Sequence, residues 1–175
     1  MDEIYIDGEE FSGKNFNKTL LKCGEYESCF FINCNFNSTD ISSFTFANCE
    51  FIDSDLSNAQ LKNTTFRDCT FSNCKLLGLR FDECNSFLLS FNFKICILNF
   101  SSFYNLKIKK TQFDTCKLEQ VDFVNADLSE AKFYNSDLTA SIFENTNLEK
   151  ADFATAYNFS IDPEINKITG AKFSA

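Results

Sequence analysis

Nine cysteines and 25 carboxylates are the residues of this 175-residue chain whose types could do chemistry. Clustered thiols make zinc sites or disulfides, and paired carboxylates do acid–base work. The chain has no histidine, which removes Ser-His and Cys-His nucleophilic pairs. No two cysteines form a C-x-x-C pair, so zinc lacks its usual ligand spacing. None of the five glycines forms G-x-G-x-x-G or a phosphate loop. The residues imply no enzyme, no metal and no cofactor. The cysteines carry a different signal: Cys29, Cys34, Cys49, Cys69, Cys74 and Cys84, then Cys96 and Cys116, are separated by multiples of five, and only Cys23 stands outside the set.

That spacing belongs to a wider frame. Large apolar residues recur every fifth position from Phe11 to Phe81, fifteen in succession. The frame slips by two within "DECNSF", then resumes at Leu88 and runs to Phe153, fourteen more, before Ile168 and Phe173 return in phase. Five residues advance a helix through roughly 140° past a full turn, and five is odd against the two-residue period of a strand, so neither keeps this set on one side. The backbone must bend once per repeat. Small residues stand two places before each large one, as at Cys49, Ser54 and Ala59 before Phe51, Leu56 and Leu61. Two apart on an extended segment means the same side, so both point inward and the cysteines are small buried apolar groups.

If each repeat turns the chain a quarter circle, twenty residues close a square coil and like should stack on like. Every twentieth residue gives the core ladder Phe11, Phe31, Phe51 and Phe71, then Phe93, Phe113, Phe133, Phe153 and Phe173 after the slip. The sequence thus predicts an all-β, parallel solenoid of about eight coils. The expected organisation is a lead-in over 1–8, repeats over 9–81, the slip over 82–87, repeats over 88–155, an interruption over 156–165 and last repeats over 166–175. Phe159 and Pro163 of the interruption are expected to fold over the last coil. Opposite charges twenty apart, at Asp55 and Lys75, Lys62 and Asp82, Lys107 and Asp127, Lys117 and Asp137, Lys132 and Asp152, and the column Lys110, Glu130 and Lys150, should pair across coils. With one proline and five glycines the turns must be made without the usual breakers. Cys29, Cys49 and Cys69, and Cys96 with Cys116, would lie close enough for disulfides. The odd total and a cytoplasmic reading favour free thiols.

The repeat, clearest in "ADLSEAKFYNSDLTASIF" (Ala126 to Phe143), resembles that of the pentapeptide-repeat proteins. "FFINCNFNSTDISSFTFANCEF" (Phe30 to Phe51) and "LLGLRFDECNSF" (Leu76 to Phe87), with its slip, look like the Qnr-type branch, and "DPEINKI" (Asp162 to Ile168) resembles the tail of microcin-immunity members. The resemblance implies a right-handed quadrilateral β-helix. It also implies an acidic DNA mimic that binds type II topoisomerase, chiefly DNA gyrase, and gives quinolone or toxin protection. The family commonly dimerises through a C-terminal helix; this chain stops at "AKFSA" without one, which reads as a truncated or a monomeric chain, a homodimer being the alternative.

The net charge of −9 is concentrated in the first 85 residues, where 14 acids face 7 bases, against 11 and 9 in the remainder. A 40 Å length of duplex DNA carries roughly 24 charges, so mimicry would need the uncompensated acids gathered on one face. Asp40, Glu50, Asp53 and Asp55 are the candidates. A charge-balanced soluble surface is the alternative. Lys107, Lys109 and Lys110 form a small basic corner expected to be solvated or paired, and direct nucleic-acid binding is not expected. The start "MDEIYIDGEE" is acidic where a secretory signal is basic and then apolar, and no run is long enough to span a membrane, so the chain reads as cytoplasmic. Phe87, one place before a frame position, and Phe91, in place of a small residue, flank the slip and are a second candidate contact, for a scaffold or interaction module without a topoisomerase role.

Overall fold

The structure, a computed structural model, describes residues 4–174. The chain winds as a parallel β-solenoid with four faces. The first face carries β1 (Ile4–Asp7), β3 (Gly24–Glu27), β5 (Thr45–Ala47) and β7 (Thr65–Arg67), paired in that order. The second carries β2 (Glu10–Ser12), β4 (Phe30–Ile32), β6 (Glu50–Ile52), β8 (Cys69–Ser72), β9 (Phe91–Lys94), β10 (Gln112–Asp114), β11 (Lys132–Tyr134), β12 (Asp152–Phe153) and β13 (Lys172–Phe173). The third and fourth faces are held by single parallel bridges, for example Asn35 to Asp55 to Lys75 and Asp40 to Gln60. Before the slip, partners are twenty residues apart, as in Phe31 opposite Phe51.

Corners are made by residues in the left-handed region. Every fifth residue from Ser28 to Asn73 and again from Ile95 to Lys150 has φ between 48° and 64°. Asn, Asp and Ser fill many of these places because their short polar side chains tolerate that conformation. This is how a chain poor in glycine and proline turns so often. At Gly24 the fold does require glycine, since a Cβ there would stand 2.3 Å from the Ile4 carbonyl oxygen of the coil below.

The core is a ladder of rings. Phe11 stacks on Phe31 at 4.9 Å, and the stack continues through Phe51, Phe71, Phe93, Phe113, Phe133 and Phe153 to Phe173. Phe81, Phe103, Phe123 and Phe143 make a second stack on the fourth face. Each buried ring removes enough apolar surface to contribute about 1.5–3 kcal/mol before entropy is counted.

The small positions are more than small. The buried Cys34 thiol donates to the Phe11 carbonyl at 3.2 Å, Ser54 to Phe31 at 3.0 Å, Cys74 to Phe51 at 3.3 Å and Ser136 to Phe113 at 3.0 Å. Cys49, Cys69 and Thr146 make the same bond on the first and second faces. Where the small residue carries a donor it serves a carbonyl of the coil below, and cysteine acts there as a weak serine. All nine cysteines are free thiols. The slip adds two residues between coils and so places Cys96 over Cys74, extending the stack of Cys96 and Cys116 by one.

At the slip a short 3-10 turn, Phe81–Glu83, is followed by residues 85–88, none of which points inward. The expectation that the frame resumes at Leu88 is corrected: Leu88 is 57% exposed with φ 55°, and Leu89 is buried instead. The two extra residues loop outward between the bonds Asn85 N–H to Thr64 O and Ser90 N–H to Phe66 O. Pairing then resumes with Phe93 opposite Phe71. Near the other end, the Phe159 ring packs tilted on Phe153 and Phe173 at 5.5 and 5.8 Å, whereas Pro163 is exposed. Asn166 re-enters at a small position, its amide accepting from Thr146 N–H and donating to the Phe143 carbonyl.

Candidate partner-binding surface

The four candidate acids do not share a face. Glu50 lies on the second face between Phe30 and Thr70, Asp53 on the corner beside it, and Asp55 on the third face between Asn35 and Lys75. Asp40 sits on the fourth face, half a coil from Glu50 and on the opposite side of the rod. The expectation of one common face is therefore corrected to a group of three. Asp53 and Asp55 line a shallow groove of about 640 Å³ that follows this corner past Asn33, Asn73, Ile95 and Lys117. Asn73 Nδ2 donates to Asp53 Oδ1 at 2.6 Å.

Asp40 and Asp55 have a structural duty as well. The carboxylate of Asp55 accepts the N–H of Ser57 at 2.9 Å, and Asp40 accepts that of Ser42 at 2.9 Å. Asp122, Asp127, Asp137 and Asp152 cap the next turn in the same way. Hydrogen bonds from Ser42 hold the Asp40 carboxyl below its ordinary range. The signal was present in the recurrence of Asp or Asn one place before the large residue, which reads as an Asx turn repeated along the rod. Glu50 and Asp53 carry no such cap, although Asp53 is held by Asn73 of the next coil.

The ion pairs differ from those expected. Asp127 meets Lys109 at 3.4 Å, not Lys107; Asp152 meets Lys172 at 3.8 Å, not Lys132; and Asp82 meets Arg80 at 2.6 Å, not Lys62. Lys110 and Glu130 do approach, at 4.0 Å. Asp55 with Lys75 and Lys117 with Asp137 are bridge neighbours without an ion pair among the described residues. Capping uses one carboxylate oxygen and leaves the other for a lysine, as Asp127 and Asp152 each show. In the basic corner, Lys109 and Lys110 are thus both paired.

Around the slip, Phe87 is 73% exposed. Phe91 is not a surface residue: it occupies the place of Cys69 in the next coil, with its ring 5.2 Å from Phe81 and 5.1 Å from Phe93. It fills volume that residues 85–88 vacate. The contact expected of Phe87 and Phe91 together reduces to Phe87 with Leu88. Sequence reading missed Ile95 and Phe100, two exposed apolar residues on successive corners of the coil after the slip, at φ 56° and 63°. Their signal was the large residue two places after a frame position, where neighbouring coils have Asn73 and Gly78.

Among the described residues, no group of three Cys, Asp or Glu could hold a metal ion, and no helix is long and apolar enough to cross a membrane. No curated protein matches the chain. Among solved structures it is similar to a trypsin-treated variant of QnrB1, a plasmid-mediated fluoroquinolone resistance protein, at 19% identity over 98% of this chain and 90% of that one, with a TM-score of 0.49. It is also similar to HetL, a pentapeptide repeat protein involved in heterocyst differentiation regulation from the cyanobacterium Nostoc sp. strain PCC 7120, at 16% identity over 95% of this chain and 84% of that one, with a TM-score of 0.36. The family described as pentapeptide repeat region matches residues 80–153, and that described as pentapeptide repeats (8 copies) matches residues 49–85. The two matches join at the slip and together span residues 49–153, more than half of a chain in which four five-residue repeats make each coil: it belongs to the pentapeptide-repeat proteins.

Proposed function

We propose that the protein is a non-enzymatic, cytoplasmic binder of type II topoisomerase, chiefly DNA gyrase, acting as a partial acidic mimic of duplex DNA and so restraining or protecting the enzyme. The observation that carries the reading is the grouping of Glu50, Asp53 and Asp55 around one corner of the acidic half, with no salt-bridge partner for any of them among the described residues. The resemblance of the segments Phe30 to Phe51 and Leu76 to Phe87 to Qnr-type proteins supports the choice of enzyme. The test is supercoiling by purified gyrase, with and without ciprofloxacin, as the protein is titrated to micromolar concentration. Inhibition, or rescue from the drug, is expected, weakened by Glu50→Gln with Asp53→Asn. Unaltered supercoiling by the folded protein would sink the reading.

A second reading is a scaffold without a topoisomerase role, with its contact at the slip. The exposed pair Phe87 and Leu88 favours it. Phe87→Ser with Leu88→Ser separates the two: it leaves a gyrase effect intact under the first reading and abolishes partner capture under the second.

A further inference from the structure

The first face carries opposite charges at equal distances from its middle. Glu25 and Glu27 stand two coils below Thr65 and Arg67 of β7, reached through the paired residues Thr45 and Ala47. Lys107 and Lys109, with Lys110 at the adjoining corner, stand two coils above, beyond the slip. At the strand spacing each group lies about 10 Å from the row of Thr65 and Arg67. Arg67 meets Glu27 at 3.5 Å and Glu25 at 3.9 Å, so two acids share one base and the lower group keeps a negative charge. In the upper group Lys109 and Lys110 meet Asp127 and Glu130, whereas exposed Lys107 has no ion-pair partner among the described residues.

Relief on this face is divided in the same way. One coil above the middle, the bulge of the slip carries the exposed side chains of Phe87 and Leu88. One coil below it stand Thr45 and Ala47, the smallest outward pair on β1, β3, β5 and β7. Arg67 crosses that shallow row to reach Glu27, and Ala47 is fully buried there.

We propose that the first face docks on the first face of a second copy, with the two rods antiparallel. The two-fold axis crosses the rods at the row of Thr65 and Arg67. It sets Glu25 opposite Lys107 and Glu27 opposite Lys109, each twice, as an isologous contact requires. It also seats each bulge on the shallow row of the other copy, where the Phe87 ring meets the Arg67 guanidinium. One row further out Asp127 faces Tyr5 and Glu130 approaches Asp7, which brings acids together and ends the contact. Five rows, about 20 Å of rod, make a small and weak interface. A partner of uniform charge would meet one of the two groups with its own sign. Glu50, Asp53 and Asp55 lie away from the first face and stay free, so this inference stands apart from topoisomerase binding.

Sedimentation equilibrium and directed cross-linking of the full chain test it. A dimer of the 20.0 kDa chain is expected at about 300 micromolar in low salt, with association about tenfold weaker in about 0.5 M NaCl. Glu25→Lys with Glu27→Lys should be monomeric, and so should Lys107→Glu with Lys109→Glu, each with the β-rich dichroism of the parent. An equimolar mixture of the two variants should dimerise again. Residues on the axis row meet their own copies, so Thr65→Cys in a Cys23→Ser background should form an intersubunit disulfide under mild oxidation, and Thr70→Cys on the second face should not. A parent that stays monomeric, a dimer that survives either pair of charge reversals, a mixture that fails to associate, or cross-linking of the Thr70→Cys chain in place of the Thr65→Cys chain would each overturn the proposal.

Discussion

Phe71 and Phe93 stack at 5.4 Å with their planes 16° apart, although the step between them is twenty-two residues where the rest of the ladder takes twenty. The ladder passes unbroken through the slip because the surplus is extruded on the first face, before β9 begins. Ring stacking on the second face therefore ties the acidic half of the rod to the remainder.

A break in the middle of the ladder should be far more costly than one at its end. Phe51→Ala and Phe113→Ala are each expected to lower stability by about 3–5 kcal/mol, since both rings are fully buried. Phe173→Ala, at the partly exposed end, should cost no more than about half of that. Urea denaturation of the three variants checks the ranking, and an equal loss at Phe173 would refute it.

The carbonyl-directed thiols make a sharper distinction. Cys74→Ser keeps a donor for the Phe51 carbonyl, as Ser54 and Ser136 do in the same column, and should cost under about 1.5 kcal/mol. Cys74→Val has similar bulk but deprives that carbonyl of its side-chain donor and should cost about 1 kcal/mol more. If valine proves the milder change, these cysteines act only as apolar filler.

Alkali should unfold the rod. Burial pushes the Cys49 thiol from about 9 up to about 12. Above pH 9 the unfolded chain releases this proton while the folded chain keeps it, so the stability is complete below pH 9 and is lost as pH rises toward 12. One such thiol removes about 1.4 kcal/mol per pH unit over that window. Melting temperatures at pH 8, 9.5 and 10.5 should fall progressively, less so in Cys49→Ser; a flat profile to pH 10.5 would contradict this account.

Ile95 holds a β-branched side chain at φ 56°, a conformation that costs an L-residue about 1–2 kcal/mol and that asparagine tolerates. Ile95→Asn, matching Asn73 below it, should therefore raise the melting temperature, by up to about 1 kcal/mol in stability. Scanning calorimetry decides it, and a destabilised variant would mean that Ile95 has a packing role on the rod itself.

The five-residue period, the inward position of the large residues, the twenty-residue stack and the place of the slip could all be read from the chain. Each follows from a side-chain pattern that recurs in every coil, so errors at one position were outvoted by the next. What the period could not convey is where a local bond redirects a side chain. An Asp expected to meet the lysine twenty residues before it gives one oxygen to the N–H two residues ahead and the other to a different lysine, as Asp127 does with Ser129 and Lys109. Nor could it place Phe91 inside and Leu88 outside, because that choice depends on which volume the extruded loop leaves empty. Sequence alone determined that this chain must coil and what lies within it. Only the tertiary structure decided which charges face solvent together, because that depends on how four faces and their capped corners close on one another in space.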